Sequence, residues 1–284
     1  MKNRVKILNI EVDNISVNEL LRSFTRGLLV TPNVDHLIQL QKNRDFFDVY
    51  RQADFVTVDS QIVYWAAKFL GHPVKEKLSG SDFFPAYCDF HKNNSSIRIF
   101  LLGGRPGVAQ QAASNVNTKV GREIVTGAHS PSMSFATNTV ECEAAIDMIN
   151  DSGANVLVVG LGAPKQEIWI AKYRARMPGI HTFMALGATL DFEAGTVSRA
   201  PRWMSRCGLE WLYRLAKEPG RMWQRYLVRD LPFFYLLIKQ RLGWEPSVSL
   251  REGLAKTYHW IGQEVDRDAR QAKAGTTSRA RTAA

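Results

Sequence analysis

Residues 28–60 read LLVTPNVDHLIQLQKNRDFFDVYRQADFVTVDS. An apolar run, Leu28-Leu29-Val30, ends in Thr31-Pro32-Asn33. A helical stretch follows, and a second apolar run, Phe55 to Val58, ends in Asp59-Ser60. Continuous apolar strands linked by helices are the repeating unit of a parallel sheet covered on both faces. Each strand then delivers polar side chains at its C-terminal end, the edge where open parallel sheets bind ligands.

The same alternation extends outward through the first 198 residues. Strands are expected at Val5–Ile10, Leu28–Thr31, Phe55–Asp59, Ile97–Leu102, Glu123–Thr126, Val156–Leu161 and His181–Leu186. Helical patterns lie between them at Val17–Thr25, Val34–Gln41, Gln61–Leu70, Ser81–His91, Gly107–Lys119, Val140–Asn150 and Lys165–Arg174. This pattern predicts an α/β fold with a Rossmann-like parallel-sheet body spanning 1–198.

From Arg199 the strands stop. Residues 199–245 read as helices broken near Gly208, Pro219 and Pro232, a second, helical appendage. Residues 246–284 form a polar tail, expected to lack order from about Gly262. The formal net charge of +10 is unevenly placed: +6 falls in 199–245, +3 in the tail and only +1 in the body. Four of the seven tryptophans lie in the appendage. An aromatic, basic, amphipathic segment favours an anionic membrane surface as partner; nucleic acid is the rival and a solvated charged face the plain reading. The N-terminus lacks a secretory signal pattern, and no window has the roughly 18 apolar residues of a membrane span. Cys88, Cys142 and Cys207 are odd in number and widely spaced, so neither a disulfide framework nor a metal site is expected, which fits a reducing cytosol.

Asp59 can be a base that deprotonates a substrate hydroxyl, or an acid that stabilises the helix behind it. The bare sequence tilts toward the second. Thr31 and Asn33 strengthen the first reading, because both reach the same edge; capping and turn formation around Pro32 is their alternative. Asp35 and His36, one turn further on, are expected to face solvent or neighbours rather than substrate. Lys77-Leu78-Ser79-Gly80-Ser81-Asp82 fits a phosphate or sugar contact and an ordinary capped loop about equally.

Leu102-Gly103-Gly104-Arg105-Pro106-Gly107 can cradle a diphosphate with backbone amides, or is simply a tight strand–helix turn. It is not G-x-G-x-x-G, and the acid that fingerprint requires is missing, so no dinucleotide cofactor is expected. In Gly160-Leu161-Gly162-Ala163-Pro164-Lys165-Gln166-Glu167, Pro opens a helix and Lys165 and Gln166 are expected to point at the edge. A lysine there opposes the helix dipole, which weakens a purely structural role. Gly187 to Phe192 adds a further strand end. Arg221, Arg225 and Arg229 share one helical face, with Arg214 seven residues before the first. The one D-x-D, Asp266-Arg267-Asp268, lies in the tail.

Taken in order, the motifs resemble the WecG/TagA/CpsF family of bacterial glycosyltransferases (glycosyltransferase family 26). They are T-P-N at 31–33, A-D-F-V-T-V-D at 53–59, S-G-S-D at 79–82, F-L-L-G-G-R-P-G-V-A at 100–109, G-A-P-K-Q-E at 162–167 and R-A-P-R-W-M-S-R-C-G-L-E-W-L-Y-R at 199–214. The resemblance implies inverting, metal-independent transfer of a sugar from a UDP-sugar to a polyprenyl-diphosphate-linked saccharide, in cell-surface or exopolysaccharide synthesis. N-acetylmannosamine, its uronic acid and glucose all fit as the sugar. It implies a catalytic Asp59, a Thr31/Asn33 pair, Gln166 as the family's glutamine, and appendage arginines matching Arg214, Arg221 and Arg225. It also implies a peripheral place on the inner face of the cytoplasmic membrane, and self-association of the body. Two departures stand out: Ser60 replaces the family's glycine after the aspartate, and Lys77 replaces an arginine, keeping charge but losing the bidentate fork. The rival from another class is a peripheral membrane or nucleic-acid binding protein with an inactive body.

Overall fold

The computed structural model describes residues 3–201, 203–204, 207–217, 219–243 and, in part, 252–263; the side chains of Arg221 and Leu227 fall outside that description. It divides into two units, Met1–Arg241 and Leu242–Ala284. Trp244, the D-x-D and most of the tail lie outside the described residues.

The first unit is built on a six-stranded sheet of order β4-β3-β8-β7-β5-β6, with every pairing parallel. Its strands are β3 (Gly27–Val30), β4 (Phe55–Val56), β5 (Ile99–Gly103), β6 (Val125–His129), β7 (Val156–Gly160) and β8 (Thr182–Ala185). Leu29, Val30, Ile99, Leu101, Leu102, Val158, Val159, Met184 and Ala185 are fully buried, so both sheet faces are covered. Each of the Leu, Ile, Val and Met side chains contributes roughly 2 kcal/mol on leaving water. The chain runs from β3 outward to β4, crosses to β5 and β6, then fills the gap with β7 and β8. The parallel sheet is the one the sequence alternation predicted, and its order sets the C-terminal ends of β3, β8 and β7 side by side in mid-sheet.

The first expected strand is instead a hairpin outside that sheet. β1 (Arg4–Ile7) and β2 (Ile10–Asp13) pair antiparallel around a Leu8-Asn9 turn, with Leu8 at φ 53. The hairpin caps the sheet edge: Asp13 Oδ2 accepts the N–H of Val56, 2.7 Å away.

Most helices start on a side-chain cap. Ser16 and Glu19 form a capping box at α1 (Val17–Ser23), while Asn33 caps α2 (Val34–Gln39) and Asn43 caps α3 (Arg44–Gln52). The sequence reading assigned no separate helix to α3. Ser60 caps α4 (Gln61–Phe69), and Ser79, two residues before the expected start, caps α5 (Gly80–Phe90). α6 (Val108–Val120), α7 (Thr139–Asp151), α8 (Lys165–Tyr173) and α9 (Thr189–Ala194) complete the layers.

Beyond Arg199 the described residues hold no strand. They form α10 (Glu210–Lys217), α11 (Pro219–Gln224), a π-helical turn (Arg225–Arg229) and α12 (Pro232–Leu242). Met222, Phe233 and Leu237 of this segment are buried, and Leu8 N–H donates to Gln240 Oε1 at 2.8 Å.

Candidate active site

Past the end of β3 and β4 the two chains stay zipped together. Thr57 N–H donates to Val30 O at 3.0 Å and Asp59 N–H to Pro32 O at 3.1 Å. These bonds set Thr31, Asn33 and Asp59 on one lip of the sheet edge. Thr31 is buried, and Asn33 and Asp59 are half-buried. One further bond, Leu78 N–H to Val58 O at 2.8 Å, lays the Lys77–Asp82 loop beside Asp59.

Burial pushes the Asp59 carboxyl up to about 6. Arg214 pulls against burial, Glu210 reinforces it, and Lys77 and a hydrogen bond from the Gly80 N–H pull it down again. The result is a carboxylate ionised at neutral pH that is nevertheless more basic than a solvated one, as a general base requires. Lys77 Nζ lies 3.8 Å from Asp82 Oδ2. Of the sequence-derived candidates, the structure therefore gathers Thr31, Asn33, Asp59, Lys77 and Arg214.

The other half of the edge is made of glycines. A Cβ on Gly103 (φ 135) would lie 2.4 Å from Gly160 O, and one on Gly160 would lie 2.7 Å from Gly187 O. The turns after β5, β7 and β8 are thus packed backbone on backbone. Gly104 N–H is spent within this packing, donating to Gly160 O at 3.1 Å. Lys165 is exposed in the first turn of α8. Gln166, expected to point out with it, is buried at 2% exposure. Its Oε1 accepts from Gly162 N–H (3.2 Å) and Gly187 N–H (3.1 Å), and its Nε2 donates to Glu167 Oε1 (2.8 Å). Its amide braces two turns.

The segment after Arg199 supplies the remaining walls. Arg214 donates to Glu210 Oε1 at 2.6 Å, and its guanidinium lies 5.5 Å from the Phe192 ring centroid. Arg199 lies 5.4 Å from the same ring and donates to Asp82 Oδ1 at 2.9 Å. Arg225 reaches the opposite flank: its Nη2 donates to Asn33 Oδ1 at 3.3 Å and its Nε stands 3.7 Å from Asp35 Oδ2. The backbone of Arg221 lies in α11, but its side chain is outside the described residues.

Of the two surroundings expected for Asp35 and His36, solvent or neighbours, the structure shows neighbours. Asp35 and His36 are buried, and Tyr50 OH lies 2.8 Å from His36 Nδ1. Burial lowers His36 to about 3, with Arg225 adding to the effect, so the imidazole is neutral. The cause is α3, whose Phe46 and Tyr50 pack edge-on against the His36 ring. Sequence reasoning also missed Phe192 and Glu210, whose relevance depends on the chain returning over the sheet edge. Among the described residues, no three His, Cys, Asp or Glu side chains converge as a metal site would need.

Residues 5–246 match the sequence model of the Glycosyl transferase WecG/TagA/CpsF family. A relative from Bacillus subtilis (strain 168), the N-acetylglucosaminyldiphosphoundecaprenol N-acetyl-beta-D-mannosaminyltransferase, is 28% identical over 213 residues, which cover 75% of this chain and 78% of that protein.

Proposed function

The chain belongs to the WecG/TagA/CpsF glycosyl transferase family, and on that premise we propose that this glycosyltransferase moves N-acetylmannosamine from a UDP-sugar to a polyprenyl-diphosphate-linked N-acetylglucosamine. The observation that carries the chemistry is Asp59: a carboxyl raised to about 6, on the C-terminal lip of a parallel sheet, with Arg214 and Lys77 beside it. The choice of sugars is supported by the name of the Bacillus relative. The uronic acid of N-acetylmannosamine, and glucose, are the alternatives the donor test must separate.

The reaction is a one-step displacement with inversion. Asp59 accepts the proton of the acceptor hydroxyl as that oxygen bonds to the anomeric carbon. The bond from that carbon to the diphosphate breaks, and UDP leaves with the electron pair. Thr31 and Asn33 position the acceptor on the side-chain half of the edge. The donor lies over the glycine half, where the open space at Gly162 and Gly187 lets its diphosphate approach the backbone. Lys165 and the arginines beyond residue 199 offset the charge that develops on the leaving group.

The lipid carrier calls for a membrane-facing surface. Leu231, Phe234, Tyr235 and Ile238 are exposed on and beside α12, with Lys239 and Arg241 in its last turn. No helix among the described residues is long and apolar enough to cross a membrane. A peripheral dock on the anionic inner leaflet through this segment fits both facts.

The test is a panel of UDP-sugars offered with polyprenyl-diphosphate-N-acetylglucosamine, with the linkage of the product determined. Transfer of N-acetylmannosamine with inversion is expected. Transfer of another sugar would correct the donor, and no transfer with any donor by folded protein would sink the reading.

A further inference from the structure

Behind the glycine half of the sheet edge lies a buried carboxyl that the mechanism above does not use. Glu167 is fully buried, and its Oε2 has no hydrogen-bond partner. Its other oxygen accepts from Gln166 Nε2 at 2.8 Å. That bond acts together with two backbone N–H groups in fixing how the Gln166 amide is turned. With Nε2 directed at a carboxyl oxygen, Oε1 faces the opposite way and can accept two N–H groups at once, from Gly162 and Gly187. Turned over, the amide would point N–H groups at N–H groups and lose all three bonds.

The two glycines end different strands. Gly162 follows β7 and Gly187 follows β8, both at positive φ and both with open space where a Cβ would be. An amide oxygen shared between them fixes the spacing of the two turns across the parallel pair. Burial pushes the Glu167 carboxyl up to about 7, against the bond from Gln166. Around neutral pH the acid is thus partly protonated, which lowers the cost of leaving Oε2 without a partner.

We propose that Glu167 is a positioning residue for the nucleotide-sugar: by orienting the Gln166 amide it holds the Gly162 and Gly187 turns at the spacing the donor diphosphate needs. This rests on the reading of the glycine half as the donor side. The predicted effect falls on donor affinity and leaves the acceptor half, built on the Asp59 and Asn33 side chains, as it is.

The experiment measures binding of UDP to the full-length protein by calorimetry, with melting temperature followed in parallel. Without that acceptor the Gln166 Nε2 group is left buried and unsatisfied, a penalty the amide relieves by turning away from Gly162 and Gly187. Glu167→Leu, similar in volume but with no acceptor, is therefore expected to weaken UDP binding about tenfold or more. Glu167→Gln still presents an oxygen to Gln166 Nε2 and is expected to bind within about threefold of wild type. The swap pair covers the case in which Glu167→Leu does not fold. Gln166→Glu alone sets two carboxyls against each other and should bind UDP poorly. Adding Glu167→Gln to it restores the donor–acceptor pattern in mirror order and should recover binding.

Three outcomes overturn the inference: a folded Glu167→Leu protein with wild-type affinity, a Glu167→Gln protein as weak as the leucine variant, or a swap that recovers nothing. If wild type itself does not bind UDP, it is the donor-side reading that fails. In that case the swap, judged by melting temperature alone, still reports whether Glu167 orients Gln166: recovery upholds the orientation and its absence refutes it.

Discussion

The C-terminal edge of the sheet has two unlike halves. Where β3 and β4 end, it presents side chains: Thr31, Asn33 and Asp59, with Lys77 alongside. Where β5, β7 and β8 end, it presents bare backbone at Gly162 and Gly187, both at positive φ, over the closely packed Gly103 and Gly160. The first half can exchange a proton and donate or accept hydrogen bonds. The second can let a ligand come close but has little chemistry of its own. A transfer reaction needs both, a place where a hydroxyl is activated and a place where a charged leaving group is held.

The largest effect is expected at Asp59. Asp59→Asn keeps size and polarity but cannot take a proton, and transfer should fall by about a thousandfold in a protein that melts normally. A near wild-type rate would show that the side-chain half does no acid–base work. On the glycine half the expected damage is to the fold. Gly103→Ala forces a Cβ to within 2.4 Å of Gly160 O at φ 135, and should cost about 3 kcal/mol, a drop of roughly 8 °C in melting temperature. Gly162→Ala meets nothing within 4 Å and carries only the strain of φ 78. It should cost about 1 kcal/mol. If the two alanine variants melt alike, the backbone packing argument is wrong.

A smaller effect is carried by pH. With Asp59 raised to about 6, kcat/KM should decline as pH falls through that value, because the protonated acid can no longer accept a proton. Arg214 favours the charged form, so Arg214→Met should move this limb to higher pH; a shift to lower pH would contradict the geometry. The smallest effect is expected in stability. The folded state keeps the Glu167 proton up to about 7, against an ordinary 4.5. The stability this confers is full below 4.5 and is lost as pH rises through 7. Glu167→Gln should therefore flatten the decline of melting temperature across that window.

Much of the side-chain half was legible in the sequence, because it is local. An apolar run followed by Thr-Pro-Asn, and another followed by Asp-Ser, is enough to place polar groups at strand ends. The fate of Val5–Ile10 was not legible, because a hairpin and a single strand share the same apolar alternation, and the Leu8-Asn9 turn contains neither Gly nor Pro. His36 and Asp35 were left open between solvent and neighbours for a different reason. Their burial depends on α3 and on Arg225, the latter bonded to Asn33 across 192 positions. No window along the chain contains that information. The bracing by Gln166 and Glu167 is equally invisible, since nothing in a Lys-Gln-Glu triplet says that the lysine alone stays in solvent.

The capping of α2 has a consequence in lone-pair arithmetic. Asn33 Oδ1 takes the N–H of His36 at 3.2 Å and the guanidinium of Arg225 at 3.3 Å. A carbonyl oxygen has two lone pairs, so both are occupied. What remains for a ligand is the Nδ2 group, with two hydrogens to give and nothing to receive. At this position the protein can only donate, and a sugar that meets Asn33 must answer with an oxygen lone pair rather than with its hydroxyl proton.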